Sequence, residues 1–151
     1  MAFLDSWEEE VNDFVKKYYQ GFFSKNKFEF FNKEAAQGGG QMIFSDAAVL
    51  VQIINNKNRF GIMIGKSGDK LFFGLDIVKS YFKITDYKID EDNIPGRKSA
   101  LLATFNADDY SGNATFLITN FNKIKNLFSS GNYNETKVQL DKLSLEKQKY
   151  N

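Results

Sequence analysis

The stretch "AAVLVQII" (47–54), "NNKN" (55–58) and "RFGIMIG" (59–65) decides the fold class. Apolar residues, many of them β-branched, fill the two outer runs, and four turn-forming residues separate them. That arrangement reads as two strands joined by a tight turn. "KSGD" (66–69) turns the chain again, and "KLFFG" (70–74) follows as a third strand. Ahead of this block the apolar residues recur with the helical period of about 3.6; inside it the period moves toward 2.

Working outward to the N-terminus, residues 6–23 predict a helix. Trp7, Val11, Phe14, Val15, Tyr18 and Phe22 fall on one face. Ser6 and Glu9 have capping-box spacing. Glu8, Glu9 and Glu10 precede Lys16 and Lys17, the order the helix dipole favours. Residues 27–37 predict a second, shorter helix: Asn26 and Glu29 repeat the cap signal, Phe28, Phe31 and Ala35 share a face, and Gly38, Gly39 and Gly40 stop it.

Toward the C-terminus, "GLDIVKSYF" (74–82) fits a short helix through Leu75, Val78 and Phe82, with a strand as the alternative. "KITDYKID" (83–90) reads as a strand before a loop that holds the single proline, Pro95. "SALLATFNA" (99–107) and "NATFLITNF" (113–121) read as strands flanking the turn "DDYSG" (108–112). Residues 123–130 suit either strand or helix. From Gly131 the chain is polar, and Val138, Leu140, Leu143 and Leu145 suit a last short element on a tail that frays. The sum is an α+β fold in one domain, 1–151, with N-terminal helices packed on a curved, mostly antiparallel sheet.

Composition bounds the function. The chain of 151 residues is 42% apolar, enough to offset the ordering entropy of a folded core. It has no His and no Cys, which removes the Ser-His-Asp triad, thiolate nucleophiles, disulfides and most zinc sites. A net charge of +1 gives no field for drawing in nucleic acid. No apolar run approaches the roughly 20 residues of a membrane span. The acidic start, Met1 to Glu10, is the reverse of a secretory signal, so the expectation is a soluble, cytoplasmic protein.

Three segments carry a family resemblance. "FVKKYYQGFFSKNKFEFF" (14–31), "GLDIVKSYF" (74–82) and "ATFLITNFNKIKNLFSS" (114–130) resemble elements of the nuclear-transport-factor-2-like superfamily, which includes ketosteroid isomerase and the polyketide cyclases. Asn122 stands where that family's closing turn usually has glycine, and 45–73 is longer than its usual hairpin. The resemblance implies a cone-like fold with an apolar cavity closed by the first helix. It sets Tyr18 at the isomerases' helix tyrosine and Asp46 near their aspartate base. The third catalytic position falls on Leu117 or Ile118, which are apolar, and the cyclases' histidine is absent. The resemblance therefore supports the fold and not the catalysis.

The remaining motifs are weak. "GIMIGKS" (61–67) has three residues between its glycines where a phosphate loop needs four. "DEDN" (90–93) and the pair Asp108–Asp109 lack the alternating oxygen ligands of a cation loop, so no metal and no cofactor is expected. With catalytic motifs missing, the leading expectation is a non-catalytic protein-binding module, such as a bacterial immunity or inhibitor protein that neutralises a toxin, a role known in the same superfamily. Its contact residues would be Asp86, Asp90, Glu91, Asp92 and Arg97 on one loop, and Asp108, Asp109 and Tyr110 on a turn. A homodimer through the sheet face fits the same family. The alternative is a protein that binds or isomerises a small apolar molecule with Tyr18 and Asp46. An open apolar pocket with both residues inside would favour that alternative; an interior filled by Phe would favour the partner.

Overall fold

The computed structural model describes residues 6–86, 105–129 and 131–148. Helix α1 (Ser6–Tyr18) buries Val11 and Phe14 and leaves Lys16 and Lys17 outside, as its periodicity predicts. Helical hydrogen bonds continue past Tyr19, but its φ of −129° opens a kink before α2 (Gln20–Lys25). Beyond the kink Tyr19, Phe22 and Phe23 are the buried side chains, and Tyr18 stays half-exposed.

The helix expected over 27–37 is instead strand β1 (Glu29–Ala36). Asn26, read as the start of a helix, closes the previous one. Its side-chain amide donates to the Phe22 carbonyl at 2.9 Å. Lys27 turns left-handed with φ +58°, its N–H reaches the Ser24 carbonyl, and the Phe28 N–H reaches the Phe23 carbonyl. These are the paired bonds of a Schellman ending, here with lysine where glycine is usual. Phe28 then folds back onto the Phe23 ring, 5.0 Å between centroids.

The sheet runs β1, β2 (Gly39–Ser45), β3 (Val49–Asn56), β4 (Arg59–Lys66) and β5 (Phe72–Gly74), each antiparallel to the next. The quoted block 47–65 is the central hairpin. Its turn residues Lys57 and Asn58 both have positive φ, +52° and +66°, the type I′ geometry that matches strand twist. Asn55, just before the turn, is 2% exposed. It accepts from the Asn58 N–H and donates to the Trp7 carbonyl and the Glu10 carboxylate, tying the hairpin to α1. In the register, Phe44, Val51, Ile64 and Phe73 form one row across four strands. All four are buried under the helices. In the glycine run Gly38 takes the left-handed turn position, and Gly40 lies under the Trp7 indole, where a Cβ would come within 2.8 Å of the ring.

Helix α3 (Leu75–Asp86) takes the predicted place of 74–82 and continues into Lys83–Asp86, where a strand was expected. The rest of that expected strand, and residues 99–104 of the next, lie outside the described residues. The expected hairpin around "DDYSG" is an error of type. Asp109 caps α4 (Tyr110–Thr119), its carboxylate accepting from the Gly112 N–H at 3.0 Å. Helix α5 (Phe121–Leu127) follows directly. Asn113, Ala114, Leu117, Phe121, Ile124 and Phe128 are buried at helical spacing across both. After Gly131 the chain forms α6 (Tyr133–Gln148), which buries Tyr133, Thr136, Leu140 and Leu143 and leaves Val138 and Leu145 exposed. Burying a side chain such as Leu140 contributes about 2 kcal/mol.

Asp69, in the turn before β5, holds α6 in place. Its carboxylate accepts from the Tyr133 hydroxyl at 2.7 Å and lies 3.3 Å from the Lys137 ammonium. The tyrosine hydrogen bond, first, and the lysine hold this carboxyl at about 2, below the ordinary carboxylate range. A carboxyl depressed by folding adds stability above its unfolded value of about 3.9 and loses it as pH falls toward the folded value. The Asp69→Asn variant should therefore be less stable than wild type at neutral pH. The gap should close between pH about 5 and about 2, which urea titrations across that range would show.

Candidate functional site

Tyr18 and Asp46 are not brought together. Tyr18 sits at the end of α1 against Phe14 and Tyr110, at ring distances of 5.1 and 6.0 Å. It lines a surface groove with Lys17, Asp13 and Asn58. Asp46 lies in the turn between β2 and β3, its side chain 2% exposed. One oxygen accepts from the Ala48 and Val49 N–H groups at 3.0 and 2.8 Å; the other lies 3.1 Å from the Lys125 ammonium of α5. These contacts shape a turn and fasten a helix. None of the cavities described here is lined by both residues.

Asp90, Glu91, Asp92 and Arg97 lie outside the described residues, and Asp86 is the last residue of α3. Asp108 is exposed and pairs with Arg59 at 3.2 Å. Such a pair in water contributes about 0–1 kcal/mol. Asp109 is a helix cap. Tyr110, expected on a surface turn, packs edge-on against Phe14, and its hydroxyl accepts from the Phe60 N–H at 3.2 Å.

Two features missed by sequence reasoning stand out. The first is β1, the outer strand. Every residue of it is exposed, with Phe30 at 55% and Phe31 at 62%. It pairs with β2 on one side, and the other side of its backbone has no strand beside it among the described residues. The register shifts between Phe30 and Asn32, which leaves Phe31 as an extra, bulged residue. Lys33 reaches back to α1 and pairs with both oxygens of the buried Glu8 at 3.0 Å, anchoring the strand.

The second is a cavity of about 230 Å³ where α1, β4, α3 and α4 meet. Phe14, Phe60, Ile62, Leu75 and Phe105 give it apolar walls. Tyr19 belongs to the same wall, 1% exposed, and its buried hydroxyl has no hydrogen-bond partner among the described residues. Burial pushes that hydroxyl well above the ordinary tyrosine range, so it remains a protonated donor. Asp76 of α3 and Lys147 of α6 add an ion pair to the lining. Burial also lowers the Lys147 ammonium from its ordinary value.

Among the described residues no group of His, Cys, Asp and Glu is placed to hold a metal ion, and no helix is long and apolar enough to cross a membrane. Comparison with protein-family models, curated proteins and solved structures finds no match for this chain.

Proposed function

We propose that this chain is a non-catalytic protein-binding module that lays β1 against an extended segment of a partner, as an immunity or inhibitor protein occupies a toxin. The observation that carries this reading is the exposure of Phe30 and Phe31 on a strand with one side unpaired among the described residues. Large apolar side chains on such an edge favour strand addition, in which backbone hydrogen bonds give affinity and side chains give selectivity. Glu29, Lys33 and Glu34 on the same strand, with the bulge at Phe31, work against indiscriminate pairing with further copies of the chain. The interior supports the same choice. Neither Tyr18 nor Asp46 lines the cavity of about 230 Å³, and Asp46 is committed to its turn and to Lys125.

The double variant Phe30→Glu, Phe31→Glu tests the reading. Both side chains are more than half exposed, so stability should fall by no more than about 1 kcal/mol. The protein that accompanies the wild-type chain out of its own cells should be lost. A folded double variant that retains the same companion overturns the proposal.

A further inference from the structure

The groove that Tyr18 lines takes no residue from β1, and it has a chemistry of its own. We infer that it is a binding site for a small methylated ammonium ion, held against the rings of Tyr18, Phe60 and Tyr110 with Asp13 as its counter-charge.

The rings come first. Phe14 is buried and touches the other three, with centroids 5.1 Å from Tyr18, 5.4 Å from Tyr110 and 4.4 Å from Phe60. Tyr18, Phe60 and Tyr110 each keep part of their surface exposed, and all three line the same groove of about 430 Å³. Tyr110 stands at 64° to Tyr18 and at 82° to Phe60. Steeply inclined rings around one space make a cage for a cation, because the face of each ring carries the negative part of its quadrupole. The chain already makes one such contact. The Lys17 ammonium lies over the Tyr18 ring, 5.3 Å from its centroid, so that face is within reach of a cation.

Charge and hydrogen bonding narrow the ligand. Asp13 and Glu10 line the groove against the single ammonium of Lys17, a balance that disfavours an anion. Asp13 is exposed and has no ion pair among the described residues. The other acceptors are engaged: Glu10 receives the Asn55 amide at 2.8 Å, and the Tyr110 hydroxyl receives the Phe60 N–H at 3.2 Å. A primary ammonium brings three donors and a firmly held water shell, and the groove replaces little of that water. A fully methylated nitrogen brings charge without donors, and its methyl groups pack on the rings. Lys17, exposed on a flexible stem, yields the Tyr18 face when the ligand enters.

Choline, its uncharged isostere with carbon in place of nitrogen, and ethanolamine separate these terms. Each is titrated into the full chain at fixed ionic strength, with the ring resonances of Tyr18 and Tyr110 as the readout. Choline should bind about tenfold more tightly than either of the others. Asp13→Asn should weaken choline and leave the isostere unchanged. Lys17→Met, which removes the resident cation, should tighten choline. Both positions are exposed on α1, so the two variants keep the fold. Unmoved Tyr18 and Tyr110 resonances with choline overturn the site. An isostere that binds as tightly as choline overturns the cation, and ethanolamine doing so overturns the methylated class. None of these results bears on β1, so this inference and the partner reading fail separately.

Discussion

Gly39→Ala should lower stability by about 3 kcal/mol, the upper end of the range for overpacking. A Cβ at this position would lie 1.9 Å from the Asn55 carbonyl oxygen and 2.9 Å from its carbonyl carbon. Both are backbone atoms, so no side chain can swing aside. Asn55 cannot retreat either, because its amide is held by Trp7 and Glu10 and its carbonyl side-chain oxygen by Asn58. Relief requires β2 to part from β3 where Gly39 pairs with Asn56 and Gly40 with Asn55. Gly61→Ala is the control. Its Cβ meets nothing within 4 Å among the described residues, and the change should stay within about 0.5 kcal/mol. Urea unfolding midpoints of the two variants report the difference, and equal midpoints would contradict the packing described.

Asp46→Ala should cost about 3 kcal/mol. The substitution leaves the Ala48 and Val49 N–H groups without their acceptor, at the entrance to a strand whose first residue is fully buried. It also releases Lys125 of α5 and removes the clamp on Ala47, which holds a φ of +83°. Asp46→Asn keeps an acceptor oxygen and loses the ion pair, so it should fall between wild type and Asp46→Ala. A family resemblance that implies a catalytic base gives this residue a different profile: a folded, stable Asp46→Ala with altered chemistry. Thermal melts of the three proteins separate a turn-former from a base.

The central hairpin was legible because period, turn residues and flanking apolar runs agree over 47–65. Helix α1 was legible for the same reason: one uninterrupted face, with acids ahead of bases. Residues 113–121 misled because the segment is apolar enough to alternate like a strand. Its helical spacing emerges only when it is read together with Phe121, Ile124 and Phe128 beyond Asn120. The turn "DDYSG" misled because aspartate serves hairpins and helix caps equally well. Asn26 did the same from the other end, closing a helix where it was read as opening one.

The candidate site was less legible than the fold. The face drawn through Tyr18 assumes an unbroken helix, and the kink at Tyr19 buries the neighbouring tyrosine instead. Lys147 reaches the cavity from a segment that reads as a fraying tail, and Asp76 meets it from a helix more than sixty residues away in sequence. Such meetings depend on tertiary packing and have no local signature. Adjacent phenylalanines suit a helix as well as a strand, as Phe22 and Phe23 on α2 show, so the expectation of a helix over 27–37 hid the exposure of Phe30 and Phe31.

The contact surface on β1 is tested most directly by placing a photoactivatable benzophenone side chain at position 31, with position 138 as the control. Phe31 and Val138 are comparably exposed, at 62% and 53%, and lie on different elements. Irradiation in the protein's own cells should give one discrete cross-linked partner from position 31 and none from position 138. A position 31 that cross-links no more than position 138 would contradict a function carried by the outer strand.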